Sequence, residues 1–236
     1  MELSRRLQAV ADLLCESEPV DADSVIADIG TDHGYIPIYL VQNHRCKKVF
    51  AMDVNKGPLK RAKEYIASYQ LEEFIETRLS DGVSSLQVGE CDAVIVAGMG
   101  GALTVKILTE GDAVFRSLKT FVLQPQSELF KVRRYLSENG YRIVAEDMVL
   151  EDGKFYPMMR VEVGKDTYDQ LIELYYGRLL LASKHPVLKQ FLEKELQVKT
   201  EIWEHLKDVD SEQIANRKKN LYQELRYIRR ALEACS

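Results

Sequence analysis

The feature that most constrains the fold is an alternation of apolar, β-branched runs with helical patterns between residues 24 and 138. Five runs have the composition of strands: Ser24–Gly30, Lys48–Val54, Phe74–Ser80, Asp92–Ala97 and Thr120–Gln124. Helical patterns lie between them, near 35–43, 57–70, 101–118 and 127–138. Ser127 is an expected N-cap and Asn139-Gly140 an expected helix stop. This alternation predicts an α/β fold, a parallel sheet covered by helices on both faces.

Both flanks of this region depart from the alternation. A helical period at the start of the chain predicts an amphipathic helix through Leu3, Leu7, Val10, Leu13 and Leu14. After the last helical pattern, Tyr141–Leu150 and Phe155–Val163 have the composition of extended segments, and the turn residues Glu151-Asp152-Gly153 separate them. The sequence therefore predicts a hairpin attached to an otherwise parallel sheet.

Strand signals stop after Gly164. Helical patterns near 167–184, 187–207 and 212–234 predict a tail of three helices. The last of them carries a coiled-coil spacing at Ile214, Leu221, Leu225, Ile228 and Leu232. We therefore expect two domains, a sheet domain over residues 1–164 and a helical coiled-coil domain over residues 165–236.

Composition and charge narrow the protein class. The net charge is −5, but residues 1–163 hold 19 basic and 25 acidic side chains, whereas residues 164–236 hold 13 and 12. Nucleic-acid binding needs a local basic face and not a basic total, so the tail is the better place for one. The four cysteines form no C-x-x-C, and the histidines show no metal-ligand spacing. With no apolar run of membrane length and no signal peptide, we expect a soluble, cytoplasmic protein without a metal.

The segment Asp28-Ile-Gly-Thr-Asp-His-Gly34 directly follows the first strand and is the strongest functional signal. The chain must turn sharply there and expose backbone N–H groups to a ligand, and the two glycines let that ligand approach the backbone closely. The spacing differs from the G-x-G-x-x-G of nicotinamide and flavin enzymes, and it lacks a P-loop lysine. A ligand without phosphate, such as S-adenosylmethionine (SAM), suits this turn. Taken alone, the motif also fits a glycine-rich turn that binds nothing.

Further acidic and glycine positions follow the next three strands. Asp53 ends the second strand, where a carboxylate can accept both ribose hydroxyls of an adenosine ligand; a helix N-cap is its structural alternative. Asp81-Gly82 follows the third strand, where the carboxylate can accept from an adenine amino group and the backbone lies beside the ring. Gly98-Met-Gly-Gly101 follows the fourth strand and leaves room for the methionine part of SAM. Open parallel sheets bind ligands at this edge, so these positions predict one crevice.

At the level of whole motifs, the chain resembles the bacterial tRNA (adenine-22-N1)-methyltransferase family. Three segments carry the resemblance: Ala27–Pro37, Ala97-Gly-Met-Gly-Gly101 and Leu123-Gln-Pro-Gln126. It implies the class I methyltransferase sheet, Rossmann-like with one antiparallel strand, followed by a helical C-terminal domain. It also implies SAM as methyl donor, tRNA as substrate and N1 of adenine 22 as acceptor. The expected cofactor-binding residues are Asp28, Gly30, Thr31, His33, Gly34, Asp53, Asp81, Gly82, Gly98, Met99 and Gly100.

Methyl transfer from SAM needs no protein nucleophile, because the sulfonium already activates the methyl group. The enzyme must expose the adenine N1 edge, align it and exclude water. Asp32 is the leading catalytic candidate, since a carboxylate favours the positive charge that develops on the base. Gln124 and Gln126 follow the fifth strand and are expected to accept from the exocyclic amine or to orient the ring. The chain lacks the N-P-P-[YF] motif typical of enzymes that methylate the adenine amino group.

Roles for three aromatic side chains stay open between catalysis and packing. His33 is a candidate proton acceptor, with packing in the turn as the alternative. Tyr35 and Tyr156 are candidates for stacking on a flipped base, but aromatic residues near strand ends usually belong to the core.

Basic residues of the last predicted helix are the expected tRNA contacts. The set comprises Arg217, Lys218, Arg226, Arg229 and Arg230, with Lys219 beside them. Further candidates are Arg5, Arg6, Lys131, Arg133 and Arg134. A solvated helix face is the structural alternative.

Two other functions remain compatible with the residues. One is a SAM-dependent methyltransferase that acts on a small molecule or a protein. The other is a non-catalytic SAM-binding protein whose coiled coil recruits a partner, since a fold alone does not establish activity. We expect a monomer or a weak dimer.

Overall fold

The computed structural model describes residues 2–15, 19–207 and 212–235. The chain divides into two compact units, Met1–Thr167 and Tyr168–Ser236.

The first unit holds a sheet and the helices that cover it. Its helices are α1 (Arg5–Cys15), α2 (Tyr35–Gln42), α3 (Lys56–Ser68), α4 (Gly101–Glu110), α5 (Asp112–Phe115) and α6 (Leu129–Glu138). Its strands are β1 (Val25–Ile29), β2 (Lys48–Asp53), β3 (Ile75–Leu79), β4 (Ala93–Met99), β5 (Thr120–Pro125), β6 (Tyr141–Glu151) and β7 (Lys154–Val163). All five strands expected before residue 125 are present.

Seven strands form one sheet in the order β3-β2-β1-β4-β5-β7-β6. Strands β1 to β5 are parallel, and β7 runs antiparallel to both β5 and β6. Asp28 of β1 lies opposite Ala51 of β2 and Ile95 of β4, so it sits in the centre of the parallel part. This topology confirms the predicted Rossmann-like methyltransferase fold with one antiparallel strand.

Helices on both faces bury the central strands. The side chains of Ile26, Ile95 and Val122 are fully buried, as expected for parallel strands covered on two sides. Helix α1 adds Val10 and Leu14 to the same core. The opening amphipathic helix is therefore an integral part of the sheet unit.

Two local predictions in this unit were wrong. The helix expected over 101–118 divides at Gly111, where φ of −98° and ψ of 13° end α4, and the chain restarts as α5. A Cβ at Gly111 would overlap the Val83 side chain, so this position requires a glycine. Glu128, in the left-handed conformation (φ 52°), is the N-cap of α6 in place of Ser127. The Ser127 hydroxyl instead accepts a hydrogen bond from the Gly101 N–H at 3.3 Å, at the start of α4.

The hairpin and the stop of α6 follow the sequence prediction. Asp152 and Gly153 form its two-residue turn with φ of 49° and 73°, the left-handed values that such turns require. Helix α6 ends at Glu138 with Asn139 as its C-cap, and Gly140 follows with φ 76°.

The second unit is helical. Its helices are α7 (Leu171–Tyr176), α8 (Arg178–Ala182), α9 (Pro186–Leu206) and α10 (Glu212–Ala234). The single helix expected over 167–184 is wrong: Gly177 adopts φ 94°, which no helix allows, and separates α7 from α8.

Helices α9 and α10 pack as an antiparallel pair. Lys199 bonds Glu224 at 2.8 Å, and Trp203 contacts Tyr222 with ring centroids 6.0 Å apart. The expected seam is present at Leu221, Leu225 and Ile228, which are buried. It then continues through Ala231 and Cys235, while Leu232 is only partly buried.

Arg133 is not a tRNA contact, contrary to the sequence prediction. Its side chain is fully buried in the sheet unit and lies 2.9 Å from the buried Glu146 carboxylate of β6. The neighbouring Arg134 is exposed and pairs with Glu138 at 2.7 Å. Residues 133 and 134 therefore give a matched comparison of a buried and a solvated ion pair.

We expect Arg133→Met to destabilise the protein by about 3–5 kcal/mol, because it removes the Arg133 side of the ion pair with the buried Glu146 carboxylate. Arg134→Met is the control and should change stability little, since water screens an exposed pair. Urea unfolding of both variants measures the difference. Equal midpoints would show that the buried pair contributes no more than the surface pair.

Candidate active site

A cavity of about 310 Å³ opens at the carboxyl ends of β1 and β4. Six of the residues predicted for cofactor binding or catalysis line it: Asp28, Gly30, Thr31, Asp32, Gly98 and Gln126. Arg6, Leu7 and Tyr35 line it as well. The cavity therefore lies at the edge of the sheet where open parallel sheets bind their ligands, as predicted.

Backbone hydrogen bonds fix the turn between β1 and α2. The N–H groups of Gly30 and Thr31 both donate to the Met52 carbonyl of β2, at 2.8 and 2.9 Å. Those two amides are therefore used within the protein, whereas the sequence suggested that the turn would offer its N–H groups to a ligand. Gly30 has φ 80°, a conformation that other residues rarely adopt, and a Cβ there would lie 2.6 Å from Cε of Met99, so the Met99 side chain would have to move.

Two buried carboxylates lie at this edge of the sheet, and of the two only Asp28 lines the cavity. Asp28 and Asp53 are both buried, at the ends of neighbouring strands. The pKa of Asp28 is raised to about 7, mainly because the carboxyl group is buried, and the nearby Asp53 charge acts in the same direction. Asp53 Oδ1 accepts a hydrogen bond from the Asn55 N–H at 2.8 Å, while Asn55 itself is the N-cap of α3. The second oxygen of Asp53 has no hydrogen bond within the described residues.

Gln124 connects three elements behind the cavity. Its side chain is fully buried, and its Oε1 accepts hydrogen bonds from the Gly98 N–H at 3.1 Å and from Arg6 Nη1 at 3.0 Å. Its Nε2 is buried without a hydrogen-bond partner among the described residues. The amide oxygen that was expected to accept from the adenine amine is therefore already occupied.

Arg6 lines the cavity, whereas the sequence analysis predicted it only as a further candidate for tRNA contact. Its guanidinium lies over the Tyr156 ring, 5.4 Å from the centroid, so one face of that ring is covered. The signal was available: Arg6 is three residues after Leu3 and four before Val10, within the buried stripe of α1. A charge in an apolar stripe needs a polar partner inside the fold.

Asp32 stands at the rim of the cavity with an exposed carboxylate. It pairs with Arg61 of α3 at 2.8 Å and lies 3.6 Å from His33 Nε2. His33 stacks on Tyr35 with centroids 5.2 Å apart, and Tyr65 meets both rings edge-on. One face of Tyr35 is therefore covered by His33.

The remaining predicted cofactor residues lie outside this cavity. Asp81 and Gly82 line a separate cavity of about 220 Å³, and Asp81 pairs with Lys106 at 3.5 Å. Gly34 is the N-cap of α2, with φ 74°. The Met99 carbonyl accepts from the Gln126 N–H at 2.8 Å, and Gly100 is the N-cap of α4.

The basic residues predicted to contact tRNA belong to the second unit. Arg217 lies 3.5 Å from Glu224, and Lys218 Nζ donates to the Lys207 carbonyl at 2.8 Å. Arg226, Arg229 and Arg230 are exposed, and none of them forms a salt bridge with another described residue. Lys219 is also exposed and forms no salt bridge with another described residue, so these three arginines and Lys219 are the available cations of α10.

Comparison with known proteins identifies the family. The tRNA (adenine(22)-N(1))-methyltransferase profile, TrmK, matches residues 26–230. The Bacillus subtilis (strain 168) tRNA (adenine(22)-N(1))-methyltransferase is 32% identical over 239 residues, spanning 99% of this chain and 98% of that protein. The chain belongs to the tRNA (adenine(22)-N(1))-methyltransferase family.

Solved structures agree with this assignment. The B. subtilis m1A22 tRNA methyltransferase TrmK superimposes with a TM-score of 0.85 at 31% identity, covering 98% of this chain and 99% of that one. M. capricolum TrmK, solved with the cofactor product S-adenosylhomocysteine, gives 0.85 at 26% identity, with both chains fully covered. The prediction of a SAM-dependent enzyme that methylates N1 of adenine 22 in tRNA is confirmed.

No group of three or more His, Cys, Asp or Glu side chains in the described part of the chain is arranged to hold a metal. No helix within residues 2–15, 19–207 and 212–235 is long and apolar enough to cross a bilayer.

Asp28 should make stability depend on pH. Its folded-state pKa of about 7 lies above the ordinary value of 3.8, so the folded state keeps a proton that the unfolded state releases. Stability contributed at this position is therefore lost as pH rises from about 4 to 7. Asp28→Asn cannot titrate, so its melting temperature should rise relative to wild type between pH 5 and pH 8.

Differential scanning calorimetry of the ligand-free proteins measures this shift, with the exposed Asp81→Asn as control. A difference between Asp28→Asn and wild type that stays constant over this range would contradict the raised pKa.

Proposed function

We propose that SAM binds along the carboxyl ends of β1 to β4 and that adenine 22 enters beside Gly98 and Gln126. The observation that carries this proposal is the cavity itself, which brings Asp28, Gly30, Gly98 and Gln126 together. In this arrangement the free oxygen of Asp53 accepts from the ribose hydroxyls. The adenine ring of SAM lies toward Asp81-Gly82, and the methionine part lies toward Gly30 and Gly98.

The reaction is a direct transfer. The N1 lone pair forms a bond to the methyl carbon as the bond from carbon to the sulfonium sulfur breaks. The positive charge passes from sulfur to the methylated adenine, and the residues supply alignment and electrostatic stabilisation.

Three side chains divide this work in the proposal. Gln126 is exposed at the cavity and aligns the base. Asp32 stabilises the cationic product from the rim, with a charge that Arg61 partly compensates. Gln124 is a positioning residue, because its amide oxygen fixes the Gly98 backbone and the Arg6 guanidinium by hydrogen bonds.

Asp53→Ala and Gln126→Ala should affect different steps. Asp53→Ala removes charge-assisted hydrogen bonds to the ribose, worth about 1.5–3 kcal/mol each, so SAM affinity should fall at least tenfold. Gln126→Ala should leave SAM affinity unchanged and lower the single-turnover rate of methyl transfer into tRNA. Calorimetric titration and radiolabelled transfer with nucleoside analysis measure the two quantities.

Two results would contradict these assignments. Unchanged SAM affinity in Asp53→Ala excludes the ribose contact. A loss of SAM affinity in Gln126→Ala equal to its loss of rate would place Gln126 in the cofactor site.

The helical unit supplies tRNA contacts in this proposal, and the sheet unit supplies SAM binding and chemistry. The exposed, unpaired Arg226, Arg229 and Arg230 support it, because phosphate contacts require cations that are free of internal partners. Arg217 and Lys218 are partly used within the unit and contribute less. Arg226, Arg229 and Arg230 face solvent, because the opposite side of α10 is the buried side of the helix.

Reversing the three arginines to glutamate together should raise the tRNA dissociation constant and flatten its salt dependence, because fewer counterions are released on binding. The matched control is Lys47→Glu, Lys154→Glu and Lys165→Glu, which makes the same change in net charge at exposed positions of the sheet unit. Gel shift at two salt concentrations measures both. Equal effects of the two triple variants would show that only net charge matters.

The proposal includes a cytoplasmic location and a monomer or weak dimer. Four free cysteines, three of them buried, suit a reducing compartment, where tRNA also resides. Sedimentation equilibrium of the full chain over a range of concentrations tests the oligomeric state.

A further inference from the structure

Helix α3 carries three lysines along one side. Lys56, Lys60 and Lys63 follow one another at spacings of four and three residues, so they share one face of the helix. All three are exposed. Lys60 lies 3.9 Å from Glu64, whereas Lys56 and Lys63 form no salt bridge with another described residue. We call these three residues the lysine row.

The lysine row borders a groove beside an edge strand of the sheet. The groove has a volume of about 330 Å³ and is lined by the three lysines, Leu59, Thr77 and Leu79. Strand β3, which supplies the last two, is the outermost strand on its side of the sheet. No carboxylate is among the described residues that line the groove. The groove is therefore a concentrated positive surface in a unit whose residues 1–163 hold 19 basic and 25 acidic side chains.

The stability of α3 alone does not account for this arrangement. Like charges four residues apart destabilise a helix. Lys56 is the first residue of α3, where its charge meets the positive end of the helix dipole, and the first turn contains no acidic residue to offset it. An anion bound in the groove would compensate both effects, so the lysine row indicates an anionic ligand.

The other side of α3 borders the reaction cavity. Arg61 pairs with Asp32 at the cavity rim at 2.8 Å, and the Tyr65 ring meets Tyr35, which lines the cavity, with centroids 5.6 Å apart. A helix with its side chains is about 10–12 Å across, so about one helix diameter separates the lysine row from this rim. An RNA that inserts a base into the cavity can therefore lay its backbone across α3.

We propose that the lysine row binds backbone phosphates of the tRNA substrate. It gives the sheet unit a tRNA contact of its own, in addition to the contacts proposed for α10. Lysine ammonium groups bind phosphates as point charges without reading the bases, which suits a surface that only positions the RNA. Leu79, 52% exposed, adds an apolar side to the groove on which ribose carbons can pack. The inference rests on tRNA as the substrate and not on the proposed position of SAM.

The test compares two triple variants that remove the same charge from the sheet unit. In the first, all three residues of the lysine row are changed to glutamine. The control changes three exposed lysines elsewhere in the unit, namely Lys47→Gln, Lys154→Gln and Lys165→Gln. A third variant changes the lysine row to arginine, which keeps its charge.

The full chain is used throughout, with an unmodified tRNA that contains adenine 22. Filter binding at several salt concentrations gives the tRNA dissociation constant and its salt slope. Calorimetric titration with S-adenosylhomocysteine and the melting temperature show whether the cofactor site and the fold are intact in each variant.

The glutamine variant of the lysine row is expected to raise the tRNA dissociation constant about 5- to 50-fold and to lower the salt slope by about two to three, because each lost phosphate contact retains about one counterion on the RNA. The arginine variant should bind tRNA within about threefold of wild type, and the control within about twofold. S-adenosylhomocysteine affinity and melting temperature should stay at their wild-type values in all three.

Other results would overturn the inference. Equal weakening by both glutamine variants would show that only net charge matters. Failure of the arginine variant to bind tRNA as wild type does would show that charge is not what the lysines contribute. A loss of S-adenosylhomocysteine affinity equal to the loss of tRNA affinity would place the effect in the cofactor site.

Two further outcomes separate this inference from the proposed function. Unchanged tRNA affinity in the glutamine variant, with weaker binding when Arg226, Arg229 and Arg230 are reversed, would confine the tRNA contacts to α10 and leave the proposed function standing. Failure of the wild-type protein to bind tRNA would contradict the proposed function as well.

Discussion

The amide oxygen of Gln124 is the contact on which the geometry of the site depends. It accepts from the Gly98 backbone and from Arg6, so one buried atom joins β5, the end of β4 and the opening helix. A buried acceptor with two donors cannot lose either without a cost in free energy. The same atom therefore fixes the position of the Gly98 turn and the position of the Arg6 guanidinium.

The sheet was predictable because its signals are local. Each of β1, β2, β4 and β5 is an apolar run, and the acidic and glycine residues after these runs met at one edge as the topology requires. The antiparallel strand came from the family resemblance, because a hairpin pattern does not reveal where it joins a sheet.

Predictions failed where distant parts of the chain decide the outcome. Arg133 has the spacing of a helix-surface residue, but a carboxylate from β6 draws it into the core. Arg6 was grouped with surface cations because its partner, Gln124, is 118 positions away. Ser127 has the composition of an N-cap for its own helix, yet its hydroxyl serves α4. Each of these contacts joins residues that no short sequence window contains together.

The side chains that precede α6 accept hydrogen bonds from the first backbone N–H groups of α4. The Gly101 N–H bonds the Ser127 hydroxyl, the Ala102 N–H bonds the Glu128 carboxylate, and a Cβ at Gly101 would overlap the Ser127 carbonyl. The loop after β4 and the loop after β5 are therefore structurally coupled, and we expect their sequences to be inherited together. A lineage that replaces this glycine has to rebuild the loop after β5 in the same step. Divergence at these positions is thus expected to be paired, while the outer faces of both helices drift independently.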